Sequence, residues 1–155
     1  ESRLSQVDFV VVNVTQCDEF EANIKKLDKF SLSPISFRNL LTGQTKQLGE
    51  WRKNTCVHAV AAIGTPKRFE ATLISLGFNV TLHAFNDHRV LCPKELSFGD
   101  DLDIIITAKD AVKLSPNPDA KIWVLEVKAE IQTDLVDRLE AELIALNQNR
   151  ALSSS

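Results

Sequence analysis

The sequence predicts an α/β fold with a mostly parallel sheet flanked by helices, plus a small antiparallel β-ribbon. Three observations carry this. From Thr55 onward, short apolar runs alternate with segments of helical periodicity, and connections between parallel strands usually carry a helix. The β-branched run Val7-Asp8-Phe9-Val10-Val11-Val12-Asn13 reads as a further buried parallel strand. The composition, 155 residues with 44% hydrophobic and 25% charged, is that of an ordinary globular domain with enough chain for a core.

Taken in order, Glu1 to Gln6 is polar and leads straight into the Val7–Asn13 run. A buried strand so near an end needs neighbours, so the polypeptide is expected to continue upstream in the natural protein. Asp18 to Asp28 tolerates a helix. Phe30 to Ser33 and Ile35 to Phe37 alternate apolar and polar residues, the mark of half-buried strands. Gly43 supplies the positive φ of a tight turn, so Ile35–Leu41 and Thr45–Leu48 are expected to pair as an antiparallel ribbon. Cys56–Ile63 is a strand, and Thr65 and Pro66 then suit the cap and first turn of a helix. Phe69, Leu73 and Leu76 give that helix one apolar stripe, and Gly77 ends it. Asn79–Ala84 is the next strand, followed by a helical turn at Pro93–Leu96, a strand at Asp103–Thr107 and a short helix at Ala108–Leu114. Pro116–Asp119 is a turn, Lys121–Val127 a strand, and Thr133 caps a last helix with Leu135, Leu139 and Leu143 on one face. Ala151–Ser155 is expected to fray.

Charge and cysteine usage exclude several classes of function. The 18 Lys and Arg against 21 Asp and Glu give a net charge of −3 without a basic stripe, which argues against nucleic acid as a partner. Apolar runs such as Phe9–Val12 and Ile104–Ile106 are too short to cross a bilayer. Cys17, Cys56 and Cys92 form no C-x-x-C pair, and His58, His83 and His88 have no partner at ligand spacing, so neither a disulfide framework nor a bound metal is expected, and a reducing cytoplasm is the simplest compartment.

In parallel sheets, functional loops leave the carboxyl ends of the strands. That selects Gly64-Thr65-Pro66, Phe85 to Val90, and Thr107 to Lys113. The first offers a helix amino end that, with Lys67 or Arg68, can hold a phosphate, or it is an ordinary strand-to-helix turn. The second sets Asp87 beside His88, a possible acid–base group, or is a polar surface loop. The third carries Lys109 and Lys113 on one face of a helical turn, suited to an anion, or is a helix start capped by Thr107 or Asp110. His58, inside an apolar strand, reads as a hydrogen-bonded core histidine, and Trp51 and Trp123 as packing residues. Asp134, Asp137, Glu140 and Glu142 read as a solvated helix face.

Together, Phe37-Arg38-Asn39-Leu40-Leu41-Thr42-Gly43, His58-Ala59-Val60-Ala61-Ala62-Ile63-Gly64-Thr65-Pro66-Lys67-Arg68-Phe69, Asp87-His88 and Thr107-Ala108-Lys109-Asp110-Ala111-Val112-Lys113 resemble the carboxyl-terminal half of tetraacyldisaccharide 4'-kinase, the lipid A 4'-kinase. The resemblance implies a P-loop kinase that moves the γ-phosphoryl of ATP to the 4'-hydroxyl of tetraacyldisaccharide 1-phosphate. It implies ATP and Mg²⁺ in the intact enzyme, and a cytoplasmic location peripheral to the inner membrane of a bacterium. The P-loop and the catalytic aspartate of that family belong to an amino-terminal half, and no G-x-x-x-x-G-K-S/T occurs in this chain. The match gives His88 the role of orienting that aspartate, and gives Asp87, Arg68, Lys109, Asp110 and Lys113 a supporting role in the cleft. Ala62, Thr65 and Ala108 stand where the family commonly has Gly, Asn and Glu, so a charge role at position 108 fails here. The implied division is the end of a nucleotide domain at 1–29, a ribbon linker at 30–54, an α/β lobe at 55–150 and a tail at 151–155. Alone, such a piece is expected not to transfer phosphate. A non-catalytic α/β ligand-binding or interaction domain is the alternative.

Overall fold

The computed structural model describes residues 7–13, 28–87, 89–114, 121–131 and 133–153. Its strands are β1 (Val11–Asn13), β2 (Asp28–Asn39), β3 (Thr45–Gln47), β4 (Cys56–Ala61), β5 (Asn79–Ala84), β6 (Asp103–Thr107) and β7 (Ile122–Ile131), and its helices α1 (Pro66–Ser75), α2 (Ala108–Ala111) and α3 (Thr133–Ser153). Two compact units emerge, residues 34–127 and residues 1–33 with 128–155, and both β2 and β7 contribute to each.

In the unit formed by residues 34–127, the strands lie in the order β5, β4, β6, β7, β2, and β3 pairs with β2. β4 runs parallel to both β5 and β6, with Val57 opposite Val80 and Asp103, and β6 runs parallel to β7. The α/β reading and its mostly parallel sheet are therefore observed. The antiparallel ribbon is present too, with Ser36, Phe37 and Arg38 opposite Gln47, Lys46 and Thr45. Asn39 builds its turn: the side-chain carbonyl accepts from the amides of Leu41 and Thr42, and Gly43, at φ 72°, returns its N–H to the Asn39 carbonyl at 3.0 Å. An L side chain is strained at that φ, which is why the turn uses glycine.

Strand alternation divides the core of this unit into two faces. Val57, Ala59, Ala61 and Ile105 pack with Phe69 and Leu73 of α1 and with Phe37, Phe78 and Trp123, whereas Val60, Ala62, Ile104, Ile106 and Val124 pack with Leu91 and Leu96. Helix α1 starts with Pro66 at its first position, as the sequence suggests. Thr65 does not cap it through its side chain; its backbone carbonyl instead accepts from Arg68 N–H at 3.2 Å. The helix ends as expected at Gly77, φ 93°, where Gly77 N–H bonds the Ile74 carbonyl and Phe78 N–H the Leu73 carbonyl, while Phe78 and Leu73 share one apolar cluster. The helix after β6 is shorter than expected, covering only Ala108–Ala111.

In the other unit, β1 pairs parallel with β2, Val11 opposite Asp28. The strand is shorter than the Val7–Asn13 run and less buried than its composition implies, with Val7 50% and Val11 42% exposed. In α3, Leu135 is buried, yet Leu139 and Leu143 are exposed, so the expected apolar stripe is covered only near its start. The helix begins with Thr133 itself and runs on to Ser153, beyond the expected boundary at 150. Arg138 pairs with the buried Asp28, donates to the Asp134 carbonyl at 3.2 Å and lies 5.9 Å from the Phe9 ring centroid. The expected helix from Asp18 and the turn at Pro116–Asp119 lie outside the described residues, apart from Asp28, which opens β2.

Phe37 is fully buried, edge-on to Trp51 and Phe78 at 5.4 and 5.5 Å between ring centroids. Phe37→Ala is expected to lower stability by about 3–5 kcal/mol in chemical denaturation. A loss below about 1 kcal/mol would mean that the ribbon is not seated on this core.

Candidate functional site

The carboxyl ends of β4 and β6 are tied together by one buried charge. Asp110 is fully buried, and its Oδ2 accepts from the Ala62 amide at 3.2 Å and the Thr107 hydroxyl at 2.8 Å. Its Oδ1 accepts from Lys113 Nζ at 3.2 Å, and the same ammonium donates to the Ala62 carbonyl at 3.2 Å. Thr107 also accepts from the Asp110 amide, capping α2 as one reading of the sequence held. A carboxylate removed from water requires such compensation.

The loop after β5 is anchored on both sides of position 88. Asp87 pairs with Lys109 at 3.2 Å and lies near Gly64, where an added Cβ would come 3.7 Å from Asp87 Oδ2. Arg89 pairs with Glu95, and its guanidinium lies 5.4 Å from the Phe85 ring centroid. Glu95 in turn accepts from the Cys92 amide at 2.9 Å. His88 itself lies outside the described residues.

Of the residues singled out in the sequence, Asp87 and Lys109 meet, and Asp110 and Lys113 meet. The two lysines have different partners, because Lys113 follows α2 in a turn and reaches back to Ala62. Arg68 lies on α1, half-buried, with Nη1 buried and making no hydrogen bond among the described residues. The backbone of Ala62 and the side chains of Arg89 and Glu95 were not singled out for the site. Arg89 and Glu95 are opposite charges six positions apart, a signal that only the loop's closure makes specific.

On the same face of the sheet, at the other end of β4, is a second polar cluster. His58, 6% exposed, has Nδ1 2.9 Å from His83 Nε2 and Nε2 3.0 Å from Asp100 Oδ2, which bears out its reading as a hydrogen-bonded core histidine. The register of β5 on β4 brings His83 to His58, and the loop before β6 brings Asp100, neither of which the residue types announce.

The family described as Tetraacyldisaccharide-1-P 4'-kinase matches residues 1–144. The Tetraacyldisaccharide 4'-kinase of Ruthia magnifica subsp. Calyptogena magnifica is 37% identical over 142 residues, which are 92% of this chain and 42% of that protein. That of Alkalilimnicola ehrlichii is 43% identical over 118 residues, 76% of this chain and 35% of the relative. Among solved structures, LpxK from Aquifex aeolicus in complex with ATP shares the fold with a TM-score of 0.61 at 15% identity, over 93% of this chain and 44% of that one. The chain thus spans less than half the length of these relatives. With the family matching across nearly all of its residues, this chain belongs to the tetraacyldisaccharide 4'-kinases.

Proposed function

We propose that the chain works as the carboxyl-terminal part of a lipid A 4'-kinase, which transfers the γ-phosphoryl of ATP to the 4'-hydroxyl of tetraacyldisaccharide 1-phosphate. The family match over residues 1–144 is the observation that carries this reading. In it, residues 1–29 end the nucleotide domain, 30–54 link, and 55–150 form the lobe that closes on substrate. The enzyme works at the cytoplasmic face of the bacterial inner membrane, held there by its lipid substrate. No helix among the described residues is long and apolar enough to cross a membrane.

The residues present do not by themselves fit a nucleotide–metal centre. Among the described residues no three His, Cys, Asp or Glu side chains are grouped to hold a cation, and the sequence has no P-loop. In this reading ATP and Mg²⁺ are held by the P-loop half that the family resemblance implies. What this chain supplies is orientation. Asp87 and Arg89 hold the backbone on either side of His88, and the His88 imidazole donates a hydrogen bond to the aspartate that accepts the 4'-hydroxyl proton. The Asp110 clamp fixes Ala62, and with it the start of the Gly64 turn against which the Asp87 loop rests.

In the full-length enzyme, His88→Ala is expected to lower kcat by about 100-fold while changing ATP affinity far less. An unchanged kcat would remove His88 from the mechanism. The reading as a whole is tested by assaying ATP-dependent phosphorylation of tetraacyldisaccharide 1-phosphate by the full-length protein; a native product with no P-loop and no activity would favour the binding-domain alternative.

Lys113→Ala leaves a buried carboxylate without its cation, so stability is expected to fall by about 3 kcal/mol in denaturant. Adding Asp110→Asn should restore part of that loss. A midpoint unmoved by Lys113→Ala would mean that the clamp does not hold these loops.

A further inference from the structure

The contact between His58 and His83 admits a limited number of protons. His58 Nδ1 and His83 Nε2 face each other at 2.9 Å, so one must donate and the other accept. His58 Nε2 is committed to Asp100, donating to a carboxylate 3.0 Å away. With both rings neutral, His83 donates to His58. With one added proton, either ring can be the cation and still leave a single hydrogen between the facing nitrogens. With two added protons, two N–H groups point at each other and the contact cannot survive.

The rings are also stacked around Phe98. His83 lies nearly parallel to it at 3.9 Å between centroids, and His58 is tilted at 4.2 Å. Asp100 is held from its own loop by the Leu102 amide at 3.2 Å. Among the described residues, the charged groups acting on the pair from its surroundings are Asp100 and, through Asp100, Lys121, which pairs with Asp101 at 2.6 Å. From β6, Ile104 is the neighbour opposite His58, whereas Asp103, opposite Val57, faces the other side of the sheet and accepts from the Trp123 indole at 3.0 Å. From β5, uncharged Thr81 is opposite His58.

We propose that Asp100, His58 and His83 form a single-proton latch that fixes loop 97–102 to the carboxyl-terminal end of β5, the strand from which the Asp87 loop departs, and that a second proton on the imidazole pair releases it. The latch positions residues and does not itself touch substrate. It does not rest on the kinase reading. In accord with the geometry, burial holds the His83 imidazole below its ordinary value, His58 pushes the same way and Asp100 opposes. Asp100, bonded to His58, is held below the usual carboxylate range.

The sign of the pH dependence follows. Between the ordinary imidazole value of about 6.5 and the lower value of folded His83, the unfolded chain binds more protons than the folded one, so stability falls as the pH drops through that interval. The part contributed by Asp100 persists to more acidic pH and is lost as the pH falls through its depressed folded value.

The test is a histidine-ring nitrogen NMR titration of the protein, paired with amide hydrogen exchange. The pair is expected to take up its two protons in separate steps at least one pH unit apart. Exchange at Phe85, whose amide bonds the Ala61 carbonyl beside His83, should rise at least tenfold across the second step, while the loop at Asp100 stays bonded to His58. In His83→Gln, whose side-chain amide can still donate to His58, that step and the pH dependence of exchange should both vanish. One shared step near pH 6.5, exchange that does not follow the second step, or an acid-dependent opening retained in His83→Gln would each overturn the proposal. If His83→Gln does not fold, the wild-type titration and exchange decide alone.

Discussion

The burial of the Asp110 carboxylate is the constraint around which the loop edge of the sheet is arranged. A charge inside the protein is tolerated only when it is paired and hydrogen-bonded, and the donors here come from three separate places in the chain. Ala62 supplies a backbone amide at the end of β4, Thr107 a hydroxyl at the end of β6, and Lys113 an ammonium after α2. Parallel strands put those ends on one edge, so satisfying the charge also fixes the spacing of the loops that leave there. The ammonium is shared with the Ala62 carbonyl, so both polar groups of that residue are held by side chains from beyond β6.

β4 connects this edge to the opposite one. Val57, Ala59 and Ala61 pack on the α1 side, leaving His58, Val60 and Ala62 for the other face. On that second face the strand has apolar Val60 between two polar ends, the imidazole pair at one and the carboxylate clamp at the other. The two clusters solve the same problem with different chemistry: the clamp sets a fixed charge against a fixed charge, whereas the imidazoles share a proton that can be added or withdrawn.

Local rules made much of the fold legible. Pro66 and Gly77 bracket α1, Gly43 turns the ribbon, and the apolar runs mark the strands, because each depends on residues adjacent in the chain. Thr65 does occupy the cap position, but its backbone, at φ −131° and ψ 66°, leaves the side chain without a capping bond, and residue type alone does not show that. The meeting of Asp110 with Ala62 spans 48 positions and that of His58 with Asp100 spans 42, so both depend on strand order and register. Of the two readings of the Thr107 to Lys113 loop, the capped helix start is the one observed at Thr107; the chain leaves the helix at Val112, and Lys109 and Lys113 each pair with a different carboxylate. The role of His88 came from family resemblance alone, since an Asp-His pair on a loop has no distinguishing pattern.

The aromatic packing beneath the ribbon has an optical consequence. The sequence contains two tryptophans and no tyrosine, and both indoles sit in one place, edge-to-face at 5.4 Å between Trp51 and Trp123. Lys46, from the ribbon strand β3, places its ammonium 4.2 and 4.3 Å from the two ring centroids. The intrinsic fluorescence of these residues therefore originates from a single coupled pair beside a cation carried by the ribbon. The chain has a built-in spectroscopic reporter of whether that ribbon is seated, without any added label.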